Sequence, residues 1–303
     1  FYSQWNSLHD FANSLGIEII GDMPIFAASD SVDVWTHPEL FKLDENLKQT
    51  AQAGVPPDAF SDDGQLWGNP VYNWPVHEKQ DFSWWIQRLE VTLSQVDIVR
   101  IDHFRGFESY WEVPIQDKTA ANGQWVEGPG MKLFSYFKNR NVIAEDLGVI
   151  TPEVQKLIKA TGFPGMKVLQ FAFDIRDGKL ASDNFYLPFN YSENSIAYTG
   201  THDNNTTIGW FNELPPHLQD IIRRFLQCPD NEVSWQMIRA LMSSVAKYVI
   251  VPMQDILNLG SDARMNKPST VGSSNWSWRF NPKDLQNWMI ERFKEFAMLY
   301  GRL

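Results

Sequence analysis

Cysteine is almost missing from this sequence. Cys228 is the only one, so no internal disulfide can form and the Cys/His spacing of a structural zinc site is absent. No apolar run is long enough to cross a bilayer, and no signal peptide opens the chain. These absences predict a protein of a reducing compartment, the cytoplasm by default, or a plastid if the source is a plant or an alga.

Positive charge is also scarce. The chain has 26 basic against 37 acidic residues, a net charge of −11, which argues against nucleic acid or an anionic membrane as a partner. No G-x-G-x-x-G or P-loop motif offers a nucleotide site. No H-E-x-x-H motif or Asp-rich calcium loop is present either. We therefore expect neither a metal nor a cofactor.

What the sequence does contain is an alternation of amphipathic helices and short apolar strands. A helix over about 5–15 ends at Gly16, Asp81 caps another, and Thr151 and Gly162 bound a third. Further helices are predicted near 131–138, 216–227, 231–246 and 283–300. Six strands are predicted at 17–20, 97–101, 142–144, 168–173, 195–199 and 248–251.

This alternation predicts an α/β fold with parallel strands, either a doubly wound sheet or a (β/α)8 TIM barrel. Acidic residues at four strand ends, Asp22, Asp102, Glu145 and Asp203, favour the barrel. Six strands are two short of eight, and the sequence begins inside a helix. We therefore expect one catalytic barrel domain over residues 1–303 that lacks its first strands. Because an open barrel exposes apolar edges, this piece alone is expected to be poorly soluble or inactive.

A long segment, 51–78, is rich in Gly and Pro and is interpreted as a functional loop insertion. The sequence is also unusually rich in tryptophan, with 13. Aromatic faces on loops suit the apolar faces of sugar rings. Seven tryptophans lie in segments that look like loops: Trp67, Trp74, Trp111, Trp125, Trp210, Trp276 and Trp278.

The acidic strand ends suggest glycosidic chemistry. Retaining cleavage needs two carboxyl groups about 5–5.5 Å apart, one an ionised nucleophile and the other a protonated acid that later acts as base. Asp102, beside Arg100, suits the first role, and Glu145, after an apolar strand, suits the second. Asp203 would orient sugar hydroxyls. The structural alternative is that these residues are helix caps or ion-pair partners, that His202 is structural and that Trp67 belongs to the core.

Six segments spread across nearly the whole chain form a recognisable set: Gly21-Asp22-Met23-Pro24-Ile25-Phe26 with Asp33-Val34-Trp35, Gly54-Val55-Pro56-Pro57-Asp58, Gly64-Gln65-Leu66-Trp67-Gly68-Asn69-Pro70, Arg100-Ile101-Asp102-His103-Phe104-Arg105-Gly106, Ala144-Glu145-Asp146-Leu147-Gly148 and Gly200-Thr201-His202-Asp203-Asn204. Together they resemble one family, the 4-α-glucanotransferases (amylomaltase or disproportionating enzyme) of glycoside hydrolase family 77, in the α-amylase clan. The strand-end motifs indicate the clan, while the Pro-Pro-Asp and Gly-Gln-x-Trp-Gly-Asn-Pro loop is specific to the family.

The resemblance implies that Asp102 is the nucleophile, Glu145 the acid/base and Asp203 the transition-state stabiliser. It implies α-1,4-glucans and maltooligosaccharides as substrates, with glucose as an acceptor. Ala59 departs from the family's usual tyrosine after Pro-Pro-Asp, so an aromatic surface at the loop tip is lost. Substrate contacts are implied for Asp22, Arg100 and His202 at the cleaved sugar, for Asp58, Gln65 and Trp67 on the loop, and for Asn275 in the acceptor region.

Three functions compete on the sequence alone. The first is a retaining transglycosylase that moves an α-1,4-glucan segment onto the 4-hydroxyl of another sugar. The second is an α-glucan hydrolase of the same clan, with water as the acceptor, which differs only in how well the acceptor site excludes water. The third is an inactive, truncated carbohydrate-binding fragment.

Overall fold

The computed structural model describes residues 1–57, 61–176, 178–268 and 270–303. The chain divides into two compact units, Phe1–Gly165 and Met166–Leu303. The prediction of a single catalytic domain stays a prediction. No described helix is both long enough and apolar enough to cross a membrane.

The first unit alternates helices with strands. Its helices are α1 (Tyr2–Ser14), α2 (Val32–Thr36), α3 (Trp74–Lys79), α4 (Ser83–Leu93), α5 (Met131–Phe134) and α6 (Pro152–Thr161). Its strands are β1 (Ile20–Met23), β2 (Ala51–Val55), β3 (Gln65–Pro70), β4 (Ile98–Ile101), β5 (Ser109–Pro114), β6 (Gln124–Glu127) and β7 (Val142–Ala144). Short 3-10 turns lie at Pro38–Leu40, Phe104–Phe107 and Ser135–Phe137.

Parallel pairing aligns the strand ends of this unit. β4 lies between β1 and β7, and every residue of β4 and β7 is buried. Asp22 is directly opposite Arg100, and Ile101 is opposite Ala144. Because parallel strands end at the same edge of a sheet, Asp22, Asp102 and Glu145 all follow or close strands at one edge.

The helix boundaries were predicted with mixed success. The Thr151 side chain accepts from the amide of Val154, and Gly162 ends α6 with φ +72°, as predicted. Gly16, with φ +75°, follows the end of α1, also as predicted. The prediction that Asp81 caps a helix was wrong. Phe82 occupies the N-cap position of α4, and no side chain caps this helix. Both Asp81 and Phe82 have a left-handed backbone.

The prediction that 51–78 has no regular structure was wrong. β2 and β3 belong to a four-stranded antiparallel sheet in the order β3-β2-β5-β6, and α3 follows β3. Gly54 is needed inside β2 because a Cβ there would lie 2.3 Å from the carbonyl oxygen of Gln65. Here glycine permits close backbone approach rather than marking a loop.

Most of the tryptophans assigned to loops lie in regular elements. Trp67 is in β3, Trp111 in β5 and Trp125 in β6, while Trp276 and Trp278 lie outside helices and strands. Trp74 starts α3 and is 7% exposed, packed among Tyr72, Trp85 and other rings of the core. The loop prediction therefore fails for five of the seven, the fifth being Trp210, which lies in a helix.

The second unit carries the remaining elements. β8 (Gly165–Val168) begins at the boundary, with Gly165 pairing to Ala144, and the predicted strand at 168–173 is wrong because residues Leu169–Ala172 form a 3-10 turn. A parallel pair, β11 and β12, and a core around Trp235 and Phe296 follow. The elements are β9 (Ile175–Arg176), β10 (Lys179–Leu180), β11 (Ser195–Tyr198), β12 (Tyr248–Ile250), α7 (Thr207–Glu213), α8 (Pro216–Leu226), α9 (Val233–Met242), α10 (Met253–Ile256) and α11 (Asn287–Leu299).

Candidate active site

Arg100 lies at the centre of the candidate site in the first unit. Its Nη1 donates to Oδ1 of Asp22 at 2.6 Å, and its Nη2 lies 2.9 Å from Oδ1 of Asp102. Burial lowers the pKa of the guanidinium, but Asp22, Asp102 and Glu145 more than offset this and hold that pKa above its usual value. Arg100 is therefore a permanent cation between two carboxylates that remain about half exposed.

The sheet explains this geometry. Asp22 and Arg100 are register partners on β1 and β4, so their side chains point to the same face. Asp102 lies two residues after Arg100, and its amide extends the pairing by donating to the carbonyl oxygen of Met23 at 3.0 Å. The strand therefore holds the nucleophile candidate beside its counter-ion.

Glu145 follows β7 and is 9% exposed. Two backbone amides hold its carboxyl group: His103 N–H donates to Oε2 at 2.7 Å, and Leu147 N–H donates to Oε1 at 2.8 Å. Burial raises the pKa of Glu145 to about 7, the charge of Asp102 acts in the same direction, and Arg100 and the two amides lower it. Near neutral pH the group therefore exists in both protonation states, as a general acid and base must.

His103 connects two predicted site residues, and sequence reasoning assigned it no role. Its backbone is left-handed, with φ 51° and ψ 49°, and its ring meets the ring of Trp67 edge to face at 4.8 Å. Burial, with help from Arg105, lowers the pKa of His103 to about 3, so the imidazole is neutral. A left-handed non-glycine residue within a strand-end motif gives no distinctive signal in a single sequence.

Arg88 of α4 was also missed. Its Nη1 donates to the carbonyl oxygen of Ile25 and to the hydroxyl of Tyr72, both at 3.0 Å, and its Nη2 donates to the carbonyl oxygen of Pro24 at 2.7 Å. Tyr72 also donates to the carbonyl oxygen of Ile25 at 2.7 Å. These bonds fix the chain just after Asp22, so α4 positions the end of β1.

The substrate-loop prediction is only partly covered by the described residues. Gln65 and Trp67 lie in β3, and the indole N–H of Trp67 donates to Oε1 of Gln65 at 3.1 Å. The ring centroid of Trp67 also lies 6.2 Å from that of Phe26. Trp67 is thus partly packed against the core, in line with the structural alternative for this residue. Asp58 and Ala59 lie outside the described residues.

In the second unit, Asp203 is held from several sides. Asn266 donates to its Oδ1 at 2.6 Å, His202 Nε2 lies 3.4 Å from its Oδ2, and Arg264 donates to its carbonyl oxygen at 2.6 Å. The His202 ring lies 5.1 Å from that of Trp276. Sequence reasoning identified His202 and Asp203 but missed Arg264 and Asn266, which lie about 60 residues further along the chain.

Asn275 has a local structural role. Its Oδ1 accepts from the amide of Lys267 at 3.1 Å, and its Nδ2 donates to the carbonyl oxygen and the hydroxyl of Thr270. These bonds fold the segment that precedes Trp276. Its role in an acceptor region stays a prediction.

Asp255 fastens both ends of the loop that carries His202 and Asp203. Its carboxylate accepts from the hydroxyl of Thr199 at 2.5 Å and from the amide and hydroxyl of Thr207, both at 2.8 Å. Asp255 is 1% exposed, and burial raises its pKa. One buried carboxylate thus bonds to the residues on either side of 200–206.

No group of three or more His, Cys, Asp or Glu suited to a metal ion occurs in the part of the chain that the structure describes.

The model of the glycoside hydrolase family 77, described as 4-alpha-glucanotransferase, matches residues 1–286. The chain belongs to this family. The resemblance found in the motifs is thereby confirmed.

Similar proteins support the family and the fold. A 4-alpha-glucanotransferase of Thermus thermophilus is 52% identical over 315 residues and one of Synechocystis is 50% identical over 309, covering 100% and 99% of this chain. An amylomaltase of Streptococcus agalactiae, solved in complex with acarbose, is 45% identical, with a TM-score of 0.95 over the whole chain. The predicted α/β fold of the amylomaltase type is confirmed. The chain spans 60 to 62% of the length of these relatives.

Proposed function

We propose that this chain carries the catalytic carboxylates of a retaining transglycosylase that transfers α-1,4-glucan segments between maltooligosaccharides. The observation that carries the proposal is the pairing of opposite environments at one strand edge. Asp102 stays beside the permanent cation Arg100, while Glu145 is buried with a pKa of about 7. A carboxylate beside a fixed cation, together with a second carboxyl group that keeps its proton to near neutral pH, is what retaining chemistry requires.

In the first step, Asp102 attacks the anomeric carbon, and Glu145 gives its proton to the departing glycosidic oxygen. A covalent bond forms between the sugar and Asp102 as the glycosidic bond breaks. In the second step, Glu145, now ionised, takes the proton of an acceptor's 4-hydroxyl group, and that oxygen displaces Asp102. Glu145 must therefore release and regain one proton in each cycle, which its pKa favours near neutral pH.

Arg100 orients its two carboxylate partners. With Asp22 on one guanidinium nitrogen and Asp102 on the other, neither acid can turn away without losing a charge-assisted bond. Asp22 remains half exposed, so its second oxygen is available to a sugar hydroxyl. We infer that Arg100 and Asp22 bind the sugar at the cleaved bond.

In the second unit, His202 and Asp203 are the residues that we propose to contact sugar. Asn266 and His202 orient the Asp203 carboxylate, which remains 46% exposed as a side chain. An oriented, accessible carboxylate can bind sugar hydroxyls and stabilise the positive charge of an oxocarbenium-like transition state. We infer that role for Asp203, with His202 as a further hydroxyl contact.

The proposed substrates are α-1,4-glucans and maltooligosaccharides, with glucose as an acceptor. Trp67 and Gln65 are both partly exposed on β3, where an aromatic ring beside a polar side chain suits a sugar chain. The related amylomaltase of 45% identity binds acarbose, an oligosaccharide analogue, which supports the same ligand class for this chain. The intact carboxylates argue against an inactive carbohydrate-binding remnant.

Incubation with maltotriose separates the candidate functions. Transfer predicts glucose together with maltotetraose and longer chains, hydrolysis predicts only shorter products, and an inactive fragment predicts no change. A matched Glu145→Gln protein is expected to form neither the transfer products nor the hydrolysis products. Hydrolysis products alone would contradict the proposed transfer.

We also infer a reducing compartment, the cytoplasm or a plastid. Cys228 is only partly buried and is a free thiol, which an oxidising compartment would leave open to chemical modification.

A further inference from the structure

We propose that His103 is a positioning residue for Glu145: its left-handed backbone, supported by the ring of Trp67, aims an amide at the carboxyl group and sets its proton affinity. The inference rests on the proposed function for its meaning, because Glu145 is the acid/base only there. It concerns a residue for which the motif itself suggests no role.

The backbone conformation of His103 is unusual. His103 is one of the few described non-glycine residues with positive φ, and it directly follows Asp102. Its amide donates to Oε2 of Glu145 at 2.7 Å, while the next amide, of Phe104, donates to the carbonyl oxygen of Glu145 at 3.1 Å. Two consecutive amides therefore bind one residue, which requires the chain to turn sharply at His103.

The side chain of His103 maintains this turn. The ring of His103 meets Trp67 at 4.8 Å and lies against Gly106, where a Cβ would be 3.0 Å from its Cδ2. The carbonyl oxygen of His103 accepts from the amide of Gly106 at 2.9 Å. The contacts of the ring with Trp67 and Gly106 thus support a conformation that most residues resist.

The His103 amide also affects the pKa of Glu145. A hydrogen bond to a carboxylate favours its ionised form, so loss of the His103 amide must raise the pKa of Glu145. The charged groups that also act on Glu145 are Asp102, which raises that pKa, and Arg100, which lowers it. Because the His103 imidazole is itself neutral, replacing it removes no charge from the site.

The test is a titration of Glu145 in the whole protein by 13C NMR, with glutamate labelled at its carboxyl carbon and the signal assigned by its loss in Glu145→Gln. His103 is replaced by Asn and by Gly, which tolerate a left-handed backbone, and by Ala and by Val, which resist it increasingly. All four variants lose the ring, so they differ in backbone preference. We expect Asn and Gly to stay within about 0.3 units of the parent, Ala to rise, and Val to rise by about one unit, a tenfold change in proton affinity.

Near-UV circular dichroism checks that each variant is folded; if Val unfolds, Ala carries the comparison. Trp67→Ala is expected to raise the pKa of Glu145, and Trp67→Phe to leave it near the parent value, because phenylalanine keeps an aromatic contact. Equal titration of folded Asn and Val variants, or of folded Asn and Ala variants, would overturn the proposal. Since the titration needs no transfer activity, failure of the proposed function would leave this result unaffected.

Discussion

Arg100 Nη2 lies 2.9 Å from Oδ1 of Asp102, and this contact joins a residue of β4 to the residue that directly follows the strand. Side chains at alternate positions of an extended chain point to the same face, so the apolar run before Asp102 also places its counter-ion. The same guanidinium binds Asp22 on the neighbouring strand. One cation therefore ties together the ends of β1 and β4.

Replacing Arg100 with lysine keeps the positive charge and tests whether the two-pronged geometry of the guanidinium is also needed. A single ammonium group cannot bridge Asp22 and Asp102 in the geometry of the fork, so kcat/KM for maltotriose is expected to fall by about 10²-fold or more. The control is Arg140→Lys, at an exposed ion pair with Glu90, which should leave kcat/KM unchanged. An Arg100→Lys protein with parental kinetics would remove Arg100 from the site.

Glu145 should make stability depend on pH. Its folded pKa, about 7, lies above the usual 4.5, so the folded protein keeps the proton to higher pH than the unfolded chain does. This contribution is complete below about pH 4.5 and is lost as the pH rises through about 7. Urea unfolding at pH 4 and pH 8 should show Glu145→Gln gaining about 3 kcal/mol relative to the parent between the two values.

The control for that series is Glu153→Gln on the exposed first turn of α6. It removes an exposed carboxyl group and so reports the general effect of the substitution on the free energy of unfolding. A constant difference for Glu145→Gln would mean that Glu145 does not carry the raised pKa.

Asp102→Asn should lower the pKa of Glu145, because the charge of Asp102 is one of the two influences that raise it. The carboxyl NMR titration measures this directly, with the exposed Asp10→Asn as the control. Transfer should also fall by about 10⁴-fold or more, since the proposed nucleophile is gone. A Glu145 titration that stays in place would show that the two carboxyl groups are not coupled.

Asp255→Asn should weaken the second unit. The carboxylate accepts three hydrogen bonds from Thr199 and Thr207 in a buried place, and an amide group cannot accept them all. We expect a loss of about 1–3 kcal/mol in the free energy of unfolding, measured in urea. The exposed Asp262→Asn serves as the control, and equal stability of the two variants would contradict the assignment.

Much of the candidate site could be predicted because apolar strands such as Val142–Ala144 are followed directly by a polar residue, and parallel strands end together. Residues 51–78 could not, because Gly54 was interpreted as a loop signal although it permits close strand approach. The apolar run 168–173 was misassigned because a short buried run does not distinguish a strand from a turn of helix. The bonds of Arg88 and Asn266 depend on tertiary packing, which spacing along the chain does not encode.

The most direct test of the account is to trap the glycosyl-enzyme. Glu145→Gln protein is incubated with α-maltotriosyl fluoride, whose leaving group needs no proton, and is then digested and analysed by mass spectrometry. We expect a maltotriosyl adduct on the peptide that contains Asp102, and no adduct in the Asp102→Asn, Glu145→Gln double variant. An adduct on another residue, or hydrolysis of the fluoride with inverted configuration, would contradict the assignment of Asp102 as the nucleophile.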